Sequence, residues 1–349
     1  MNASRNATVT RVRAVYGKRL KEKDYNELCS KKRVTEAAEY LKRSTHFSDA
    51  LSGIDTSAIH RGYLESLLQK AFYSRYEQLC DFQQLSREPF YNFLLIRTEM
   101  RELLKAILYL NNEKEDVYIE ALPAFFVKKA TFDLIELAKA RTFKELLAVI
   151  KNTPYYSILS GIETDRNGNV PYTRCEVELR SYYMRWLNST AKEQFRGSGR
   201  DELIKLINVQ TDIINIINAY RMKKFFGWDG ERIKKHSLPF YGRISRRKQA
   251  ELFEASNTDE FIRVLKGTVY GRLTDDLYEG MESSRFETEL FRIQCRMAKK
   301  ALRFSDSAAV SLYAFMYLCE VEVNNIVTIV ECIRYEKTIP YMQNLLVIS

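Results

Sequence analysis

One helical pattern, written three times at a spacing near 112 residues, decides most of what this chain can fold into. The stretch Cys319 to Lys337, CEVEVNNIVTIVECIRYEK, sets Glu322, Asn325, Ile326, Ile329, Val330 and Ile333 at offsets 0, 3, 4, 7, 8 and 11. Those offsets follow one face of an α-helix, so an acid and an amide head an otherwise apolar stripe. TDIINIINAYRMKKF repeats the construction with Asp212, Asn215, Ile216, Ala219 and Tyr220. TEMRELLKAILYL does so with Glu99, Glu102, Leu103, Ala106 and Ile107. Asp212 stands 113 residues after Glu99, and Glu322 stands 110 after Asp212.

Other elements keep the same period. An aromatic-basic segment followed by a short helix pair occurs at Val15 to Ser44, Ala121 to Thr153 and Ser237 to Thr268. Its anchors Leu28, Leu137 and Phe253 lie 109 and 116 residues apart. A small polar break follows each anchor, then an amphipathic helix. Thr142 is the expected cap of this helix in the second copy, and Asn257 or Thr258 in the third. A longer helix begins near Tyr63, Val177 and Thr288, with Leu64, Leu179 and Leu290 spaced 115 and 111 apart. Loops are expected at Glu163 to Pro171, around an Asn167-Gly168 turn, and at Arg196-Gly-Ser-Gly-Arg200. The period far exceeds that of a solenoid repeat. It implies three small helical domains with partial cores of their own, at 1–112, 113–228 and 229–349. Such copies can stack in a line or stand around a pseudo-threefold axis.

Only 13 glycines and 6 prolines occur in 349 residues, so turns are few and helices long. The longest uncharged run near the C-terminus, Ser307 to Cys319, is too short to span a bilayer. The polar N-terminus has no apolar signal core. The six cysteines show no C-x-x-C pair or regular ligand spacing. Cys319 and Cys332 share a helix too far apart to bridge, so reduced core thiols in a cytosolic protein are expected. The net charge of +10 is graded: the first 112 residues hold 19 basic and 13 acidic groups, whereas residues 229–349 hold 18 and 17. This mild, interspersed excess suits acidic partners or headgroups and is a weak signal for nucleic acid.

No residue pattern encodes a reaction. His46, His60 and His236 lack a second ligand at helical spacing and read as surface or core filling. No phosphate-cradling glycine loop and no nucleophile motif is present, and Gly197-Ser198-Gly199 reads as an interhelical loop. Catalytic, cofactor and metal residues are therefore expected to be absent. An acid facing a core is costly unless paired. Because a catalytic site seldom occurs three times in one chain, Glu99 with Glu102, Asp212 with Asn215 and Glu322 with Asn325 read as a repeated structural lock. Each acid would pair with a base on a neighbouring helix or cap a backbone turn. The basic segments holding Lys18 and Arg19, Lys128 and Lys129, and Arg243, Arg246, Arg247 and Lys248 read as solvated faces or as a repeated partner-binding rim. Tyr182-Tyr183-Met184-Arg185-Trp186 is a further interface candidate, with core packing the default.

The threefold unit, together with EVEVNNIVTIVECIRYEK, NVQTDIINIINAYRMKKFFG and FLLIRTEMRELLKAIL, resembles one family over essentially the whole chain. It is the central-stalk component of V-type (A/V-type) ATPases that is called C in prokaryotes and d in eukaryotes. Glu102, standing where the other copies have Asn215 and Asn325, departs from the pattern. The resemblance implies an all-α fold whose three similar domains form a funnel around a pseudo-threefold axis. It implies a non-catalytic socket that binds no nucleotide, ion or cofactor. The socket would seat on the membrane rotor ring (c/K subunits) at the cytoplasmic face and receive the central shaft of subunits D and F, coupling ATP turnover to proton or sodium transport. A helical adaptor with unrelated partners, or a weakly basic nucleic-acid binder with salt-dependent affinity, are the alternatives.

Overall fold

The computed structural model describes residues 2–81, 85, 88–112, 124–166 and 168–348, with side chains from residue 7 onward save those of 124 and 125. All regular structure among these residues is helical. The first stretch gives α1 (Asn2–Gly17), α2 (Glu22–Cys29), α3 (Val34–Ser44), α4 (Arg61–Asp81) and α5 (Phe93–Asn112). The second gives α6 (Ala124–Lys129), α7 (Leu134–Lys139), α8 (Phe143–Val149), α9 (Pro154–Leu159), α10 (Tyr172–Gln194) and α11 (Gly197–Phe226). The third gives α12 (Gly230–Lys235), α13 (Arg246–Glu254), α14 (Thr258–Lys266), α15 (Ser283–Phe304), α16 (Ala308–Arg334) and α17 (Ile339–Leu345). Short helices followed by two long ones thus recur three times, at α2–α5, α7–α11 and α13–α16, the second set holding an additional short helix, α9. The expected caps are in place. Thr142 Oγ1 accepts from Glu145 N–H, and Asn257 Oδ1 accepts from Asp259 and Glu260 N–H. Asn167 of the expected turn lies outside the described residues.

Two long helices run further than their patterns suggested. The helix expected from Cys319 begins at Ala308 behind an N-cap at Ser307, because no glycine or proline interrupts the run. Its 27 residues are buried on nearly every side, as befits a helix that others pack around. It lies against α15, α1, α4 and α11 and stops where Glu336 takes φ 51°. The loop expected at Arg196 to Arg200 is instead the first turn of α11, a 30-residue helix. Gly199 sits there so close to the α16 N-cap that an added Cβ would meet Ser307 Cβ at 3.0 Å. A bare backbone therefore lets the two helix starts touch.

Every apolar residue of the three recurring stripes is buried, each worth about 1.5–3 kcal/mol when large. The buried apolar side chains form two clusters among the described residues. The larger joins α4, α5, α10 and α16, and the smaller packs Val209 to Tyr220 of α11 against α13 to α15. Six cysteines, Cys29, Cys80, Cys175, Cys295, Cys319 and Cys332, are buried thiols. No described helix is long and apolar enough to cross a membrane.

Candidate functional site

Each long helix that ends a copy holds the backbone of the next copy through its acid. Glu99 on α5 accepts from Thr131 N–H at 2.5 Å and from the Tyr155 hydroxyl at 2.6 Å. Asp212 on α11 accepts from the N–H groups of Gly242, Arg243 and Ile244 at 2.6–3.1 Å and from the Tyr270 hydroxyl at 2.8 Å. Glu322 on α16 accepts from Leu20 N–H at 2.6 Å and pairs with His46 Nε2 at 2.9 Å. Copy one thus holds copy two, copy two holds copy three, and copy three reaches back to copy one. The hydrogen bonds close a ring that the chain itself leaves open.

All three acids are buried. Burial pushes the Glu99 and Asp212 carboxyls above their ordinary range, and the hydrogen bonds pull them only part of the way back. Tyr155 and Tyr270 are driven well above the usual phenol range, first by burial and then by the acids they serve. These donors were not evident from the helix patterns, yet a signal existed. Tyr155 and Tyr270 each stand two residues after a threonine, Thr153 and Thr268, and His46 stands two after Ser44. The three donors are 109 and 115 residues apart, the period of the anchors. His46, expected to be filling, occupies the place that tyrosine holds in the other copies.

The amides below the acids clasp returning chain. Asn215 exchanges two hydrogen bonds with the backbone of Leu238, at 2.8 and 3.0 Å. Asn325 does the same with Val347, at 2.9 and 3.1 Å. The C-terminal segment 346–348 therefore lies where the link into copy three lies on α11. Glu102 plays no such part: it pairs with Arg101 and Lys105 on its own helix. On α5 it is Asn111 that makes the two-bond clasp, with Val170.

The basic segments supply the backbone that the acids hold, and their side chains point elsewhere. Lys18, Lys128, Lys129, Arg243, Arg246 and Arg247 are exposed, whereas Arg19 and Lys248 are half-buried. Arg19 lies over the Tyr16 ring, and Arg247 and Lys248 both pair with Glu251. His60 accepts from Tyr63 N–H, and His236 packs on Trp228. Among the described residues no group of three or more potential ligands could hold a metal.

Between them, α5, α10, α11, α15 and α16 wall a cavity of about 780 Å³. It runs along the middle of α5 and α16, the C-terminal half of α11 and the N-terminal halves of α10 and α15. Apolar Leu104, Ile213, Ile217, Phe291 and Val321 alternate there with Arg97, Arg101, Lys105, Arg180, Arg221, Glu287 and Glu320. Arg97 reaches across from α5 to Glu320 on α16 at 2.8 Å, and Arg221 on α11 forks onto Glu287 of α15. Tyr183 and Met184 of the aromatic cluster line the same wall and are buried, with Tyr183 stacked on Trp186. The wall is apolar over most of its area, and its charged side chains are paired. It lacks the convergent nucleophile, base and oxyanion donors of a catalytic centre.

A family model described as "ATP synthase (C/AC39) subunit" matches residues 8–338. Curated relatives are similar over most of their length. The C subunit of the A-type ATP synthase from Methanosphaera stadtmanae is 23% identical over 90% of this chain and 80% of its own. Proteins of the same description from Methanosarcina barkeri and Methanosarcina acetivorans are 25% and 24% identical, over 85% and 91% of this chain and 78% and 86% of theirs. With the family match spanning nearly the whole sequence, the chain belongs to the ATP synthase (C/AC39) subunit family, a non-catalytic component of that enzyme.

Proposed function

We propose that this subunit is the socket of a rotary ATP synthase or V-type ATPase, in which the end of a central shaft formed by subunits D and F seats in the 780 Å³ cavity. In this reading the three copies, 1–112, 113–228 and 229–349, stand as a funnel around a pseudo-threefold axis. The opposite face rests on the membrane rotor ring of c/K subunits, peripherally and on the cytoplasmic side. Torque then passes from shaft to ring as ATP turnover is coupled to proton or sodium movement. The single observation that carries the reading is the closed sequence of acid-held joints around a cavity walled by long helices of all three copies.

Torque requires that the wall not spread under load. Glu99, Asp212 and Glu322, with Asn215 and Asn325, serve as structural locks against that, each buried and bonded to backbone. Glu102 adds a local ion pair to the first. Lys18, Arg19, Lys128, Lys129, Arg243, Arg246, Arg247 and Lys248 form the proposed partner rim beside those locks, suited to acidic surfaces near a membrane.

A photo-crosslinking residue at Leu108, which lines the cavity and is 47% exposed, tests the assignment in the assembled complex. The expected product joins this subunit to a shaft subunit. Crosslinking to ring subunits alone would overturn it.

A further inference from the structure

The ion pairs on the cavity wall are not symmetrically placed. Lys105 on α5 meets Glu102, Arg180 on α10 meets Glu176, and Arg221 on α11 meets Glu287 of α15. In each pair the base is the more open partner: side-chain exposure is 43% against 8%, 41% against 28% and 51% against 15%. The acids are the covered groups, and the cationic ends stand toward the cavity that all three bases line. Arg97 and Glu320 form the one nearly even pair.

The three open bases share one end of the cavity. At the other end α5, α11 and α16 begin together: Phe90, just ahead of α5, lies 5.2 Å from Phe195, just ahead of α11, and Gly199 lies against Ser307. The helix α10 finishes there. Lys105 and Arg221 stand well beyond those starts, and Arg180 lies in the first half of α10, so all three are displaced toward the far end. Apolar groups stand exposed beside them. Leu108, one turn after Lys105, is 47% exposed. Phe226, which shares a smaller pocket of about 140 Å³ with Arg180 and Arg221, is 67% exposed.

We propose that this end of the cavity selects an acidic polypeptide, so that the shaft segment seated there carries carboxylates set among apolar residues. Arg180 spends Nε and Nη2 on Glu176, and Arg221 spends the same two nitrogens on Glu287. A guanidinium has five N–H donors, so each keeps donors for an incoming carboxylate, and such charge-assisted bonds are the strong ones. A nucleic acid or a free inorganic anion would satisfy the bases and leave Leu108 and Phe226 in water. A polypeptide covers both kinds of surface at once. Because every base is already paired, the wall acts as a set of dipoles with their positive ends outward. Their attraction steers and orients the incoming segment more than it tightens the final complex.

The inference rests on the socket reading and adds the chemistry of what enters. Its test is the association rate of the full chain with the purified D–F shaft pair, followed by stopped flow from 50 to 500 mM salt. The rate should fall about tenfold over that range. Neutralising the three bases together, as Lys105→Gln, Arg180→Gln and Arg221→Gln, should slow association about tenfold at the lowest salt and flatten the salt dependence. If the triple variant does not fold, each single substitution should slow association about twofold. A control triple removes the same charge from paired bases away from the cavity: Arg33→Gln, Lys139→Gln and Arg263→Gln. It should change the rate less than twofold. Association indifferent to salt and to the cavity triple, association that quickens with salt, or an equal slowing by the control triple would overturn the acidic occupant and leave the socket standing. A shaft pair that does not bind the wild-type chain at any salt would overturn the socket itself, and this inference with it.

Discussion

Asp212 gathers three backbone N–H groups and a phenol, whereas Glu99 gathers one backbone N–H and one phenol. Removing the acceptor strands those donors in the core, and a buried donor without a partner is more costly than a hydrogen bond is favourable. Asp212→Ala should therefore lower unfolding free energy by about 3 kcal/mol or more and Glu99→Ala by less, as read by urea denaturation. Tyr270→Phe, which removes a single donor, should cost about 1 kcal/mol. Equal losses for the two acids would contradict the donor inventory. The pH dependence has a definite sign. A carboxyl raised by burial favours folding fully below its unfolded pKa, and that advantage disappears as the pH rises through the folded value. The wild-type protein should gain stability relative to Glu99→Gln as pH falls from neutrality toward about 4. A growing deficit instead would mean that hydrogen bonding outweighs burial at Glu99.

Elements show what the helical period could and could not reveal. The stripes of α5, α11 and α16 were legible because burial on one face writes itself at 3.6-residue spacing. The starts of α11 and α16 were not. Gly197 and Gly199 looked like a loop; a φ of 63° at Gly197 and the closeness of Ser307 to Gly199 explain the glycines in this first helical turn. The segment that docks on α11 obeys the same logic. A Cβ on Gly242 would come within 2.5 Å of Asn208 O and Asp212 Oδ1, leaving no room for even a methyl group. Gly242→Ala should cost about 2–3 kcal/mol by pushing the segment off the helix, visible as faster exchange at residues 242–244. At the chain's end, Asn325 holds Val347 as Asn215 holds Leu238. Asn325→Ala should release α17 and the residues after it, raising exchange there at least tenfold while α16 stays protected. Unchanged protection would show that Met342 and Leu346, both buried, hold the tail alone.

For the whole molecule, repetition made three copies readable, and the acids and basic segments were recognised separately as recurring features. That they are two halves of one joint was not readable, because the partners are 30 to 302 residues apart and no local pattern records which copy reaches which. The same distance hid the cavity, whose wall is assembled from helices far apart in the sequence. The ring nevertheless follows from those pairings: two joints reinforce a chain that runs on from the helix bearing the acid, and at the third α1 packs along α16 and leads into Leu20. The socket reading stands or falls on whether this ring surrounds a seat for a shaft. A three-dimensional reconstruction of the intact complex, purified from its native membrane, would show this outright. The end of another subunit should be lodged between α5, α11 and α16, within reach of Leu104, Ile217 and Val321. An empty cavity, with the shaft resting on the outer surface of the ring, would refute the socket.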